Sequence, residues 1–93
     1  MLDELLTPCA VVDLDRMEAN LDRMAAYARE HGLALRPHTK THKSSLMAAE
    51  QVRRGAAGLT VAQLHEARIM GTVTGDILLA HPPVGTAKIE RLL

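Results

Sequence analysis

An α/β fold with parallel strands is what the sequence predicts, on three observations. Short β-prone runs at residues 9–13, 33–36, 57–60 and 77–80 alternate with helical patterns, the mark of repeated strand–helix units. Ile77, Leu78, Leu79 and Ala80 form a run that is apolar at every position, as expected of a parallel strand covered on both faces. The composition, 47% hydrophobic and 24% charged with a formal net charge of zero over 93 residues, belongs to a soluble, globular chain.

Taken in order, Thr7 and Pro8 set up an extended start, and residues 9–13 are a short apolar strand bounded by the proline. Cys9 stands alone, which excludes an internal disulfide, and its place in this strand favours a buried structural thiol. Asp13 or Asp15 caps the helix that follows, with Glu18 in capping-box register to Asp15. Leu14, Met17, Leu21, Met24 and Ala28 recur at spacings of three and four, a stripe that faces the core. Gly32 ends this helix after His31. Leu33 and Leu35 then alternate with Ala34 and Arg36 as in a strand whose leucines point toward covering helices. Pro37 lacks the N–H that a central strand needs, so this strand stops near Arg36 or His38.

Ser44 or Ser45 caps a second helix, which runs through Ala48, Ala49 and Val52 to Arg53 and Arg54 and is closed by Gly55. Residues 57–60 are a third strand, in which Gly58 leaves room for close approach by a neighbour or ligand. A helix from about Val61 to Met70 carries Val61, Leu64, Ala67 and Met70 inward and ends at Gly71. His81, Pro82 and Pro83 terminate the last strand. Thr86 caps a final helix with Ile89, Leu92 and Leu93 inward.

The densest chemistry lies between Leu35 and Ser44, which hold Arg36, His38, Lys40, His42 and Lys43. If the extended parity persists to Lys40, then Ala34, Arg36, His38 and Lys40 share one face. The Lys40 amine would then stand at the carboxyl end of a strand, where α/β folds place ligands. Arg36, Lys43 and any protonated His38 or His42 disfavour a further positive charge, which lowers the amine's pKa from about 10.4. A neutral amine attacks carbonyls, as required for capture of an aldehyde cofactor such as pyridoxal phosphate or of a carbonyl substrate. The competing reading of the same residues is a solvated basic loop. For Arg36 the structural alternative is an ion pair, and for His38 a hydrogen-bonded core imidazole. His38 and His42 have a spacing at which two helical histidines share zinc, but the preceding strand and Pro37 and the lack of a suitably placed Glu argue against it. Thr60, Gly58 and His81 fall at or near carboxyl ends of strands, and His31 and His65 fall on helices, facing solvent.

The octapeptide Arg36-Pro37-His38-Thr39-Lys40-Thr41-His42-Lys43 resembles the RPHxKTHK signature of the D-threonine aldolase and D-serine dehydratase family, pyridoxal-phosphate enzymes on an alanine-racemase-type barrel. The resemblance continues through Thr7 and Pro8 with Val11, Val12, Asp13, Leu14 and Asn20. It resumes at Leu59 to Ala62 with Glu66 and Ala67, and at Ile77 to Ala80 with Pro83, Val84 and Gly85. It implies an α/β chain forming the N-terminal portion of a (β/α)8 pyridoxal-phosphate barrel. Since a whole barrel takes about 250 residues, the rest of the barrel and a C-terminal β domain are expected to lie outside residues 1–93.

By the same resemblance Lys40 is the catalytic and cofactor-binding lysine; Arg36, His38, Thr41 and His42 flank it, placed to touch cofactor, substrate carboxylate or each other, and are the further cofactor-binding candidates. The implied activity is that of a lyase on D-configured β-hydroxy amino acids, by aldol cleavage or dehydration, in a full-length homodimer. A divalent metal is implied too, with none of its ligands in this chain, and residues 1–93 alone are expected to be inactive. An amino-acid racemase on the same barrel and a non-enzymatic pyridoxal-phosphate carrier or regulator are the alternatives.

Charge balance gives no electrostatic reason to expect nucleic acid or an anionic membrane as a partner. No apolar run approaches the roughly 20 residues that span a bilayer, and the acidic Asp3 and Glu4 stand where a signal peptide is basic, so a cytoplasmic location is expected. Tyr27 is the sole aromatic residue, which leaves the core to Leu, Val, Ile, Met and Ala.

Overall fold

The computed structural model describes residues 2–93. A short 3-10 turn, Leu2–Glu4, precedes helix α1 (Leu14–Glu30), helix α2 (Ser45–Arg53), strand β1 (Leu59–Val61), helix α3 (Leu64–Met70), strand β2 (Ile77–Leu79) and helix α4 (Thr86–Leu92). β1 and β2 pair in parallel, with Leu59 opposite Ile77, Thr60 opposite Leu78 and Val61 opposite Leu79.

The strand expected at residues 33–36 is an extended segment with a single bridge, His38 to Thr60, outside any regular strand. It still lies alongside β1. Ala57 N–H donates to the Leu35 carbonyl at 2.8 Å, Thr60 N–H to Pro37 at 2.9 Å and Thr39 N–H to Thr60 at 2.9 Å. Pro37 has no N–H to give, which interrupts the ladder on that side. The sheet therefore runs from this segment through β1 to β2, all parallel.

Residues 9–13 form no strand, a correction to the expectation. No backbone hydrogen bond joins them to a neighbouring segment among the described residues, and a strand without a partner has no ladder to define it. Cys9 is accordingly exposed, not buried.

Alternation along β1 builds the core. Leu59 and Val61 point to the helical side and are fully buried with Ala48 of α2 and Met70 of α3, and Val52, Ala67, Val73, Ile77 and Leu79 pack around them. Ser44 caps α2, its hydroxyl accepting from Met47 N–H at 3.3 Å. α3 begins at Leu64, later than expected, because Val61 belongs to β1 and Gln63 takes the N-cap position.

Asp13, not the pair Asp15 and Glu18, caps α1 by accepting from Arg16 N–H at 3.1 Å. Gly32 takes φ +62°, the left-handed conformation that lets Leu33 N–H return to the Ala28 carbonyl at 2.8 Å. The apolar stripe of α1 is only partly covered. Ala28 is buried and Met17 and Leu21 half-buried, whereas Leu14 and Met24 are 63% and 52% exposed. Leu33, Leu35 and Pro37 do face α1, but across an open groove of about 500 Å³ lined on the helix side by Leu21, Met24 and Ala28. Arg54 Nε to Asp22 Oδ1, at 2.6 Å, ties α1 to the end of α2. α4 also departs from expectation: Gly85 occupies its N-cap position in place of Thr86, and Ile89, Leu92 and Leu93 are exposed. It touches α3, but its apolar side is left about half open.

Candidate active site

The register of the sheet brings distant residues to one face. With His38 opposite Thr60 and Thr60 opposite Leu78, the alternation that turns Leu59 and Val61 toward the helices turns Gly58 and Thr60 the other way, beside Arg36, His38 and Asp76. Arg36 makes a two-pronged bond to Asp76, Nη1 to Oδ1 at 2.7 Å and Nη2 to Oδ2 at 3.0 Å, and Nη1 also donates to the Asp76 carbonyl at 3.2 Å. Gly58 lies beneath this pair, where a Cβ would run into Arg36 Nη1 and the Asp76 carbonyl oxygen. The close approach expected at Gly58 is thus made by the chain's own ion pair. Hydrogen bonding from Arg36 holds the Asp76 carboxyl below its ordinary range, and the same bond raises the guanidinium pKa.

The extended parity stops at His38, and Lys40 sits in the turn that follows, a correction to the expected strand position. Several bonds shape this turn. Lys43 N–H donates to the Thr39 carbonyl at 2.8 Å, and buried Thr39 donates its hydroxyl to the Thr60 carbonyl at 3.3 Å. His38 Nδ1 accepts from the backbone N–H of Lys40 at 3.2 Å. His42 Nδ1 accepts from Ser44 N–H at 3.0 Å, which puts the ring proton on Nε2, 3.2 Å from the Gln51 side-chain oxygen that accepts it. Thr41 and Lys40 are exposed, and among the described residues Lys40 Nζ makes no hydrogen bond or ion pair.

Arg36 and Lys43, the two fixed charges expected to crowd Lys40, are each matched by a carboxylate. Arg36 is held by Asp76, and Lys43 Nζ lies 3.6 Å from Glu66 Oε1. Burial of Glu66 acts to raise its pKa, but hydrogen bonds from the Ala62 and Gln63 amides and the nearby Lys43 charge outweigh it, so the net shift is downward. On α2, hydrogen bonds from Arg53 and then Arg54 pull the Glu50 carboxyl down to about 2.

Glu50, Asp76 and Glu66 share a consequence for acid stability. A carboxyl depressed in the folded chain contributes stability that is complete above its unfolded value near about 4 and is lost as pH falls through the folded value. The denaturation midpoint is expected to stay level from neutral pH to about pH 5 and to fall between about pH 4 and about pH 2. Replacing Glu50 with Gln should flatten that fall, and added salt should weaken it because Glu50 and Asp76 are reached by solvent. Urea titrations at a series of pH values check this; a midpoint as high near pH 2 as at neutrality would contradict it.

Two residues of this site, Asp76 and Glu66, carry no role in the sequence reading. Glu66 stands three residues after Gln63 at a helix start, the capping-box interval, and that signal was available. Asp76 had none, since its pairing with Arg36 depends on a register spanning 40 positions. A second cleft, about 450 Å³, opens beyond the carboxyl ends of β1 and β2 and is lined by Gln63, His65, His81, Lys88 and Arg91 among others; Lys40 lines neither groove. Among the described residues no three His, Cys, Asp or Glu side chains gather as a metal site, and none of their helices is long and apolar enough to cross a membrane.

The residues present fit the covalent end of an aldehyde cofactor: an exposed, uncommitted amine on the carboxyl rim, with Thr60 and Ala62 as the small side chains of the adjoining strand end. Parallel extended segments with helices on one side, and a lysine in the turn just past the end of one of them, define the class as α/β with parallel strands.

Residues 12–93 match the family model described as alanine racemase, N-terminal domain, and the chain belongs to that family. It is 49% identical over 84 residues to the D-threo-3-hydroxyaspartate dehydratase of Delftia sp. strain HT23, covering 86% of this chain and 22% of that protein. It is 40% identical over 87 residues to a D-threonine aldolase of Arthrobacter sp., covering 92% of this chain and 23% of that one. The crystal structure of D-threonine aldolase from Filomicrobium marinum superposes with a TM-score of 0.91 at 36% identity, over 98% of this chain and 25% of that chain. The chain thus spans about a quarter of the length of these relatives.

Proposed function

We propose that this chain supplies the cofactor-lysine segment of a pyridoxal-phosphate-dependent lyase acting on D-configured β-hydroxy amino acids, and that further sequence completes the barrel around it. The observation that carries the reading is Lys40: an uncommitted amine, inside the octapeptide, at the carboxyl rim of a parallel sheet. The names of the dehydratase and aldolase relatives support the reaction class.

When bound, the cofactor supplies an electron sink for the bond broken at the substrate. Lys40 Nζ is the group that would hold it, through the aldehyde carbon. His38 holds the Lys40 backbone through Nδ1, and Thr39 fixes the turn to β1, so the backbone that carries the amine is held at the end of the sheet. Arg36 lies on the same face with its guanidinium fixed by Asp76, which orients it while balancing its charge. The divalent metal implied by the resemblance finds no ligand set among the described residues.

The test is a product assay on the full-length protein with added cofactor and divalent cation. Aldehyde plus glycine from D-threonine, or ammonia plus a keto acid from D-3-hydroxyaspartate or D-serine, with the L-enantiomers inert, is the expected result. Interconversion of D and L forms with no cleavage would replace the lyase reading with a racemase.

A further inference from the structure

Glu66 is a buried carboxylate that the chemistry above leaves unused. Its Oε2 accepts from the backbone N–H of Ala62 at 2.9 Å and of Gln63 at 3.1 Å, in the loop that leaves β1. Its Oε1 faces Lys43 Nζ, three positions beyond Lys40. One side chain therefore joins two loops that leave neighbouring parallel segments at the same end of the sheet. A helix cap alone needs neither the burial nor the second oxygen. A carboxylate removed from water is costly without a compensating charge, so the Lys43 loop is held where its ammonium reaches Glu66. Lys43 itself has φ +50°, a left-handed conformation disfavoured for any residue but glycine, so its backbone needs neighbours to fix it. Thr39 and His42 anchor the same turn to β1 and α2; Glu66 adds the anchor to α3.

We infer that Glu66 is a positioning residue for Lys40, clamping the Lys40 turn to the start of α3 through Lys43 and so setting where the amine stands on the rim. This rests on the reading of Lys40 as the cofactor lysine. The clamp itself is a property of the cofactor-free protein, which allows the two to be tested apart.

The experiment uses the full-length protein and the variants Glu66→Gln, Lys43→Met and Lys43→Arg. Hydrogen exchange of residues 39–44 is followed without cofactor, and the dissociation constant of pyridoxal phosphate by absorbance titration. Glu66→Gln keeps an oxygen for the two N–H groups but loses the charge that faces Lys43, and is expected to speed exchange across 39–44 and to weaken cofactor binding by about tenfold. Lys43→Met leaves the two amide bonds of Glu66 in place and covers the case in which Glu66→Gln fails to fold. It should loosen 39–44 and weaken cofactor binding by about threefold with the amides of α3 as protected as before. Lys43→Arg should restore both readouts, and kcat at saturating cofactor should fall in the first two variants with little change in KM.

Unchanged exchange and cofactor affinity in Lys43→Met would overturn the inference. So would general loosening in Glu66→Gln together with an unmoved turn in Lys43→Met, because that is the pattern of a plain helix cap. A parent protein that exchanges as expected yet carries cofactor elsewhere than Lys40 would overturn the proposed function, while the clamp would stand.

Discussion

Replacing Lys40 with alanine in the full-length protein is expected to lower turnover of D-β-hydroxy amino acids by about a thousandfold or more, the scale on which loss of a directly reacting group is felt. The protein should fold as before. Lys40 is exposed and its side chain makes no hydrogen bond or ion pair among the described residues, so truncation removes chemistry and almost no packing. The features that shape the turn stay in place, since the bond from position 40 to His38 Nδ1 is made by the backbone N–H. Lys40→Arg should fail as completely, because a guanidinium keeps the charge but stays protonated and does not condense with an aldehyde. Lys43 does not substitute, being held beside Glu66. Retained turnover in Lys40→Ala would remove Lys40 from the chemistry altogether.

Gly58→Ala is expected to cost about 1–3 kcal/mol of stability, the usual range for forcing extra volume into a filled site. The new methyl meets Arg36 Nη1 and the Asp76 carbonyl oxygen, and lies 2.9 Å from Asp76 Cγ. A flexible arginine tip moves aside cheaply. The carbonyl does not, because it accepts from Leu59 N–H at 2.9 Å and so belongs to the pairing of β1 with the segment leading into β2. Relief of the clash requires the strands to part or Arg36 to leave Asp76. Removing the arginine side chain as well, in Arg36→Ala with Gly58→Ala, should therefore restore little of the loss. Denaturant midpoints measure both, and a Gly58→Ala protein as stable as its parent would show that the sheet has slack at this point.

The legible part of the fold was whatever depended on local pattern. Asp13 and Ser44 as caps and Gly32 as a left-handed stop each follow from a few adjacent residues, whereas β2, expected to be covered on both faces, leaves Leu78 51% exposed. Burial that needs a partner was misread. Residues 9–13, Leu14 and Met24 of the α1 stripe and the apolar side of α4 carry the right patterns, yet the described residues leave them largely uncovered. Pattern states which side should be buried and is silent on whether anything arrives to bury it.

The same division runs through the site. Lys40, His38 and Arg36 stood out in one octapeptide, and parity placed Arg36 and His38 together up to the point where the turn begins. The partners that fix them came from afar: Asp76 reaches Arg36 only through the parallel register, and Glu66 reaches Lys43 only because β1 turns directly into α3. The electrostatic surroundings of Lys40 were misjudged for that reason, since the sequence displays the neighbouring cations and not the carboxylates folded against them.

Borohydride reduction of the full-length protein with pyridoxal phosphate bound, followed by peptide mapping, tests whether Lys40 is the residue that holds the cofactor. The expected result is one modified peptide bearing the reduced cofactor on Lys40, absent from the Lys40→Ala protein. Cofactor found on Lys43 with Lys40 free, or on no lysine between Arg36 and Ser44, would contradict it.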